Sequence, residues 1–126
     1  MGENYLDHVV INVKDDMDLA QLVFSNLGFT LTPRGYHTLG SINHLMMFGS
    51  DYMELIGFPE NGVANNPNAR PDLTTAPFGI NGLVFKSSDV DKTFEKLVEL
   101  EMDGDPPKSF SRPVELDGRK TDAKFR

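Results

Sequence analysis

Apolar positions along the chain fall into short alternating runs interrupted by one helical stripe, and the pattern then begins again. Tyr5–Val13 (YLDHVVINV) reads as a strand, with Leu6, His8, Val10 and Asn12 on one face and Asp7, Val9, Ile11 and Val13 on the other. Aliphatics on both faces predict a strand covered on both sides. Asp15 or Asp16 is placed to cap a helix running to Leu27, with Gly28 at its C′ position. Ala20, Val23, Phe24 and Leu27 supply its inner stripe. Phe29–Pro33 predicts a short second strand, confined to an edge or ended by Pro33 and Gly35. Arg34 to Ile42 reads as a loop. Two runs, Asn43–Phe48 and Tyr52–Ile56, flank Gly49-Ser50-Asp51 and predict a β-hairpin, so the order is βαβββ.

Phe58 to Pro77 is dense in Pro, Asn and Gly and has no period, which marks a connector long enough to be a lid or a link between two units. Beyond it, Ile80–Lys86 is again a strand. Ser88-Asp89-Val90-Asp91 fits a capping box opening a helix along Val90, Phe94 and Leu97, ended by Gly104. His8 to Gly28 spans 20 residues and Gly82 to Gly104 spans 22, which predicts a duplicated strand–helix unit. The second copy continues with a strand around Pro113–Leu116, a turn at Asp117-Gly118 and a strand from Thr121 to Arg126, and lacks a fourth strand. The expectation is an N-terminal portion of a longer protein: a first module over about 4–57, a connector over about 58–78 and a partial second module over about 79–126.

A length of 126 residues with 39% hydrophobic and 25% charged residues suits one soluble domain. The net charge of −7 argues against nucleic acid or an anionic membrane as partner. With no cysteine, any metal site must use His, Asp, Glu or backbone oxygen. The N-terminus has no signal-peptide pattern, and a cytoplasmic protein is the expectation.

Candidate chemistry concentrates around the hairpin. Tyr52, Glu54 and Ile56 share a strand face, and a mid-strand carboxylate there points either into water or into a cavity with a task. His8 beside Asp7 reads either as a strand histidine with a hydrogen-bond partner or as a functional group. If Phe48 pairs with Tyr52, His44 falls on Glu54's face and joins its cavity; a slip of one residue turns it away. His37, Gly40, Ser41 and Asn43 shape the loop before the hairpin, Gly40 by a positive φ, with a cavity-rim role as the alternative for His37. Met46, Met47 and Met53 read as core filling, and Arg70 as a solvated connector residue or an anion contact.

LDHVVINV, a helix ending in NLGF, and then TLTPRGYHTLGSINHLMMFGSDYMELIG resemble the glyoxalase-like branch of the vicinal oxygen chelate superfamily, with patterns like H-x-x-G-[ST]-x-N and F-G-x-x-Y-[LM]-E-L. The match is close from Tyr5 to Gly57 and looser from Ile80 onward, where FSRPVEL is the most recognisable piece. The resemblance implies an α+β fold, with paired βαβββ modules forming a curved mixed sheet around a cavity and the second module incomplete. It puts metal ligands at His8 and Glu54, 46 residues apart, with Zn, Fe, Mn or Ni as suitable ions and Glu54 as ligand or catalytic base. His44, His37 and Tyr52 are then candidate cavity residues. Gly82 departs from the pattern, standing where a second-module ligand would be. Two functions follow: metal-assisted chemistry of lyase, isomerase or dioxygenase type on a small oxygen-bearing molecule, or metal-free sequestering of a small ligand, as in bleomycin resistance. A homodimer is the expected assembly.

Overall fold

The computed structural model describes residues 4–60 and 71–125. Strand β1 (Tyr5–Lys14) leads into helix α1 (Met17–Asn26), followed by the two-residue strand β2 (Gly35–Tyr36) and the hairpin β3 (Ile42–Phe48) and β4 (Asp51–Gly57). Helix α2 (Pro71–Thr75), strand β5 (Gly79–Lys86), helix α3 (Val90–Glu99) and the hairpin β6 (Phe110–Leu116) and β7 (Arg119–Phe125) complete it. Five strands form a mixed sheet in the order β2-β3-β4-β1-β5, with β1 parallel to β4 and antiparallel to β5; β6 and β7 form a separate two-stranded sheet. No helix among the described residues is long and apolar enough to cross a membrane.

One face of the large sheet carries the core. Val13, Ile42, Met46 and Leu55 pack with Met17 of α1, and Ile11, Ala20, Phe24 and Met53 close around them. The stripe of α1 is therefore Met17, Ala20 and Phe24, while Val23 and Leu27 are exposed, which corrects the stripe expected from spacing. The N-terminal turn of α1 is the end pressed onto the sheet. Gly28, at φ +99, then ends the helix at the expected position, with Phe29 N–H donating to Phe24 O across the left-handed residue.

Three other elements depart from expectation. Phe29–Pro33 is not a strand. Thr32 N–H donates to Leu45 O, but the Thr32 hydroxyl, not its carbonyl, accepts from Leu45 N–H, and Pro33 has no N–H to continue a ladder. The β2 pairing falls instead on Gly35 and Tyr36. The connector holds α2, whose Leu73 is buried, because the buried amide of Asn12 donates to Leu73 O at 3.0 Å and also reaches Ala76 O and Pro77 O. Arg70 lies outside the described residues. In α3 the cap is Asp89, whose carboxylate accepts from Lys92 N–H, and the left-handed residue after the helix is Glu101, not Gly104.

The β3–β4 register decides which side chains meet. Phe48 pairs with Asp51 and Met47 with Tyr52, so the connection is the two-residue turn Gly49-Ser50, with Gly49 at φ +78. Leu45 and Asn43 thus share a face with Tyr52 and Glu54, while His44 and Met46 lie on the core face. Met46 is buried as expected; Met47 is half-exposed.

Candidate functional site

The face opposite α1 carries the polar cluster. His8 pairs with Tyr52 and Val10 with Glu54 in the parallel β1–β4 ladder, which sets the imidazole beside the carboxylate of the next strand. His8 Nε2 lies 3.2 Å from Glu54 Oε2, and both side chains are about nine-tenths buried, with relative exposures of 11% and 10%. Tyr52 covers the imidazole, its ring stacked at 4.3 Å and 11°. The two expected ligand positions are thus brought together on one face.

Asp7 takes the other ring nitrogen, its Oδ2 at 2.8 Å from His8 Nδ1. Strict alternation would send Asp7 to the core face. The β1–β5 register slips between Leu6 and His8, however, leaving Asp7 as an extra residue, and such a bulge re-aims a side chain. Lys86 of β5 holds Asp7 from the far side at 3.3 Å.

Asn43 occupies the other flank of Glu54, its amide nitrogen 3.3 Å from Glu54 Oε1. The same nitrogen is 3.5 Å from His37 Nε2, and His37 Nδ1 is 2.7 Å from Ser41 Oγ, so His37 stands one amide away from Glu54. Gly40, at φ +86, shapes this loop as expected. The small sheet docks against it: Thr38 N–H and hydroxyl both donate to Ser111 O, and Phe110 meets the His37 ring edge-on at 6.2 Å. This docking brings Arg112 Nη1 to 3.5 Å from Asn43 Oδ1. Lys86 and Arg112 therefore stand at the two ends of a polar row that runs through Asp7, His8, Glu54 and Asn43.

Burial opposes a charge on His8, but hydrogen bonds to Glu54 and Asp7, with the charges of both carboxylates, outweigh it and hold the imidazole above its usual range. Burial likewise opposes the Asp7 charge, yet the bonds to His8 and Lys86 bring that carboxyl below its usual value. The Tyr52 hydroxyl is pushed well up, first by burial and then by the Asp7 and Glu54 charges and a hydrogen bond to Asp7, with Arg112 acting in the opposite sense.

His44 does not join this cluster. The two-residue turn shifts the hairpin by one position from the Phe48–Tyr52 pairing, and His44 is buried on the core side. There Nδ1 donates to Thr32 O at 2.7 Å and Nε2 accepts from Arg34 Nε at 3.2 Å. The residues that sequence reasoning missed are Lys86 and Arg112. The only signal for Arg112 was its place in FSRPVEL.

As a metal centre, the cluster offers half a coordination sphere. Two donors 3.2 Å apart can both bond one ion at about 2 Å, and Asp7 orients the imidazole from behind, as carboxylates do in metal sites. Among the described residues no group of three or more His, Cys, Asp and Glu converges on one point. Gly82 pairs with Val10, and a Cβ there would press on the Val10 side chain, so this position supplies no donor.

The model of the glyoxalase-like domain family matches residues 6–126. A hypothetical protein from Staphylococcus aureus has a similar structure, with a TM-score of 0.70 and 18% identity over 95% of this chain and 50% of that one. A hypothetical protein from Bacillus halodurans matches with a TM-score of 0.60 and 14% identity, over 96% of this chain and 93% of that one. At such identities the likeness carries the fold alone. The chain spans half the length of the Staphylococcus protein. No curated protein matches it significantly by sequence.

Proposed function

From the premise that this chain belongs to the glyoxalase-like domain family of the vicinal oxygen chelate superfamily, we propose that it performs metal-assisted chemistry on a small oxygen-bearing molecule at the Glu54 face. The observation that carries this reading is the approach of His8 Nε2 and Glu54 Oε2 to 3.2 Å on neighbouring strands. His8 and Glu54 would hold a divalent ion such as Zn, Fe, Mn or Ni. When bound, such an ion acts as a Lewis acid on a ligand oxygen. Asp7 fixes the His8 ring plane, and Tyr52 keeps water off its face. Asn43 donates to Glu54 Oε1, so Oε2 is the oxygen turned to His8 and the one that would meet an ion there.

A second reading is metal-free sequestering of the same ligand, and it is favoured by the donor set of two among the described residues and by Gly82. Titration of Zn(II) and Mn(II) into chelator-treated protein separates the two. Under the first reading the wild type binds an ion with release of protons, and His8→Ala and Glu54→Gln each lose that binding. Ion binding that is equally weak in all three proteins, beside small-molecule binding that needs no ion, establishes the second.

A further inference from the structure

Arg112 is a half-buried cation brought to the Glu54 face by a different sheet, and among the described residues the one hydrogen bond of its side chain is the 3.5 Å contact with the Asn43 amide oxygen. A guanidinium carries five N–H donors, so this neutral and long contact leaves most of them without a partner among the described residues. The chain also makes room for it. Gly35 pairs with Asn43, and a methyl group at position 35 would run into Asn43 Oδ1 and come within 2.9 Å of Arg112 Nη1. The backbone of β2 thus passes close under the guanidinium because Gly35 has no side chain there.

We propose that Arg112 is the anchor for the anionic end of the ligand, and that the ligand is a small carboxylic acid bearing a second oxygen, of the 2-oxo or 2-hydroxy acid class. This rests on the reading of the Glu54 face as the ligand site. A planar guanidinium matches a carboxylate with two parallel hydrogen bonds. Lys86 and His8 are already engaged with Asp7 and Glu54, so Arg112 is the cation left for the ligand, and one guanidinium suits one negative charge. One side-chain amide separates Arg112 from Glu54, and this limits the ligand to a short molecule whose second oxygen reaches the His8–Glu54 pair.

The test compares pyruvate and lactate with their methyl esters by ligand-observed NMR on the full chain. The wild type is expected to bind each acid about tenfold more tightly than its ester. Arg112→Gln removes that preference by weakening the acids far more than their esters, and Arg112→Lys restores part of it. A purely structural role for Arg112 would instead weaken acid and ester together. Equal binding of acids and esters by the wild type, or an acid preference that survives in Arg112→Gln, overturns the anchor. If ester binding depends on Glu54, shown by its loss in Glu54→Gln, while the acids gain nothing, the site reading stands and the anchor falls. An Arg112-dependent acid preference that Glu54→Gln leaves intact has the converse meaning. If neither acids nor esters bind, both fall.

Discussion

Glu54 Oε2 lies 3.2 Å from His8 Nε2 across the parallel β1–β4 ladder, on the side of the ring opposite Asp7. A neutral imidazole has one donor and one acceptor, and two ionised carboxylates both require donors. The arrangement is therefore fully satisfied only with His8 protonated. Any ion taken up at Nε2 must displace that proton.

The first expected outcome is a pH dependence with a definite sign. In the metal-free protein His8 is held above its ordinary value of about 6.5. Its contribution to stability is fully present below about pH 6.5 and is lost as the pH rises through the folded-state value. Asp7 acts in the opposite window: its lowered carboxyl contributes stability above about pH 4 that is lost as the pH falls through its folded-state value. Urea denaturation from about pH 2 to 9, with NMR titration of the His8 ring proton, measures both effects. Glu54→Gln should lower the His8 pKa and flatten the alkaline slope. An unchanged His8 titration in that variant would show that the 3.2 Å contact carries no proton.

Arg34 provides a contrast between buried and exposed partners. It donates to the buried His44 through Nε, and through Nη2 to Asp18, whose side chain is 92% exposed. Arg34→Met leaves His44 Nε2 buried without a donor and should cost about 1–3 kcal/mol. Asp18→Ala should leave stability nearly unchanged, because exposed ion pairs contribute little. Equal losses in the two variants, measured by urea denaturation, would contradict this division.

What the sequence made legible follows how local the causes are. Glu54 and Tyr52 share a face by simple alternation, and the strand–helix order follows from periodicity and caps. His44 was not legible, because one residue in the Gly49-Ser50 turn decides its face. Asp7 reaches His8 through a bulge set by pairing with β5, which lies some 75 residues further along the chain. Arg112 reaches Asn43 only because Ser111 and Phe110 dock on the loop around His37 and Thr38, a tertiary event with no periodic signature. Asn12 looked like a neighbour of His8 on one strand face, yet its partners come from the connector.

Asn12 should accordingly control the connector more than the sheet. Its amide satisfies carbonyls at the end of α2, which a helix terminus cannot satisfy internally, and its own oxygen accepts from Lys14 N–H. Asn12→Ala is expected to cost about 1–3 kcal/mol and to speed hydrogen exchange in residues 71–77 before the rest of the chain. Unchanged protection of that segment would mean that Leu73 packing alone holds α2.

The last expectation concerns β5. It is the edge of the five-stranded sheet, and Ile80, Leu83 and Phe85 on it are 72%, 60% and 55% exposed. From Gly79 to Phe85 it carries neither a charge nor a proline, the usual protections of an open edge. We propose that a second copy of the chain covers this strand, most simply by antiparallel β5–β5 pairing about a two-fold axis. The net charge of −7 on each copy opposes that association, and salt screens such repulsion while leaving apolar burial intact. Sedimentation velocity over a concentration series should therefore show a dimer that strengthens with added NaCl, and Leu83→Lys should return the protein to monomer at every salt concentration. A wild type that stays monomeric throughout, or a dimer indifferent to Leu83→Lys, would place the contact elsewhere or abolish it.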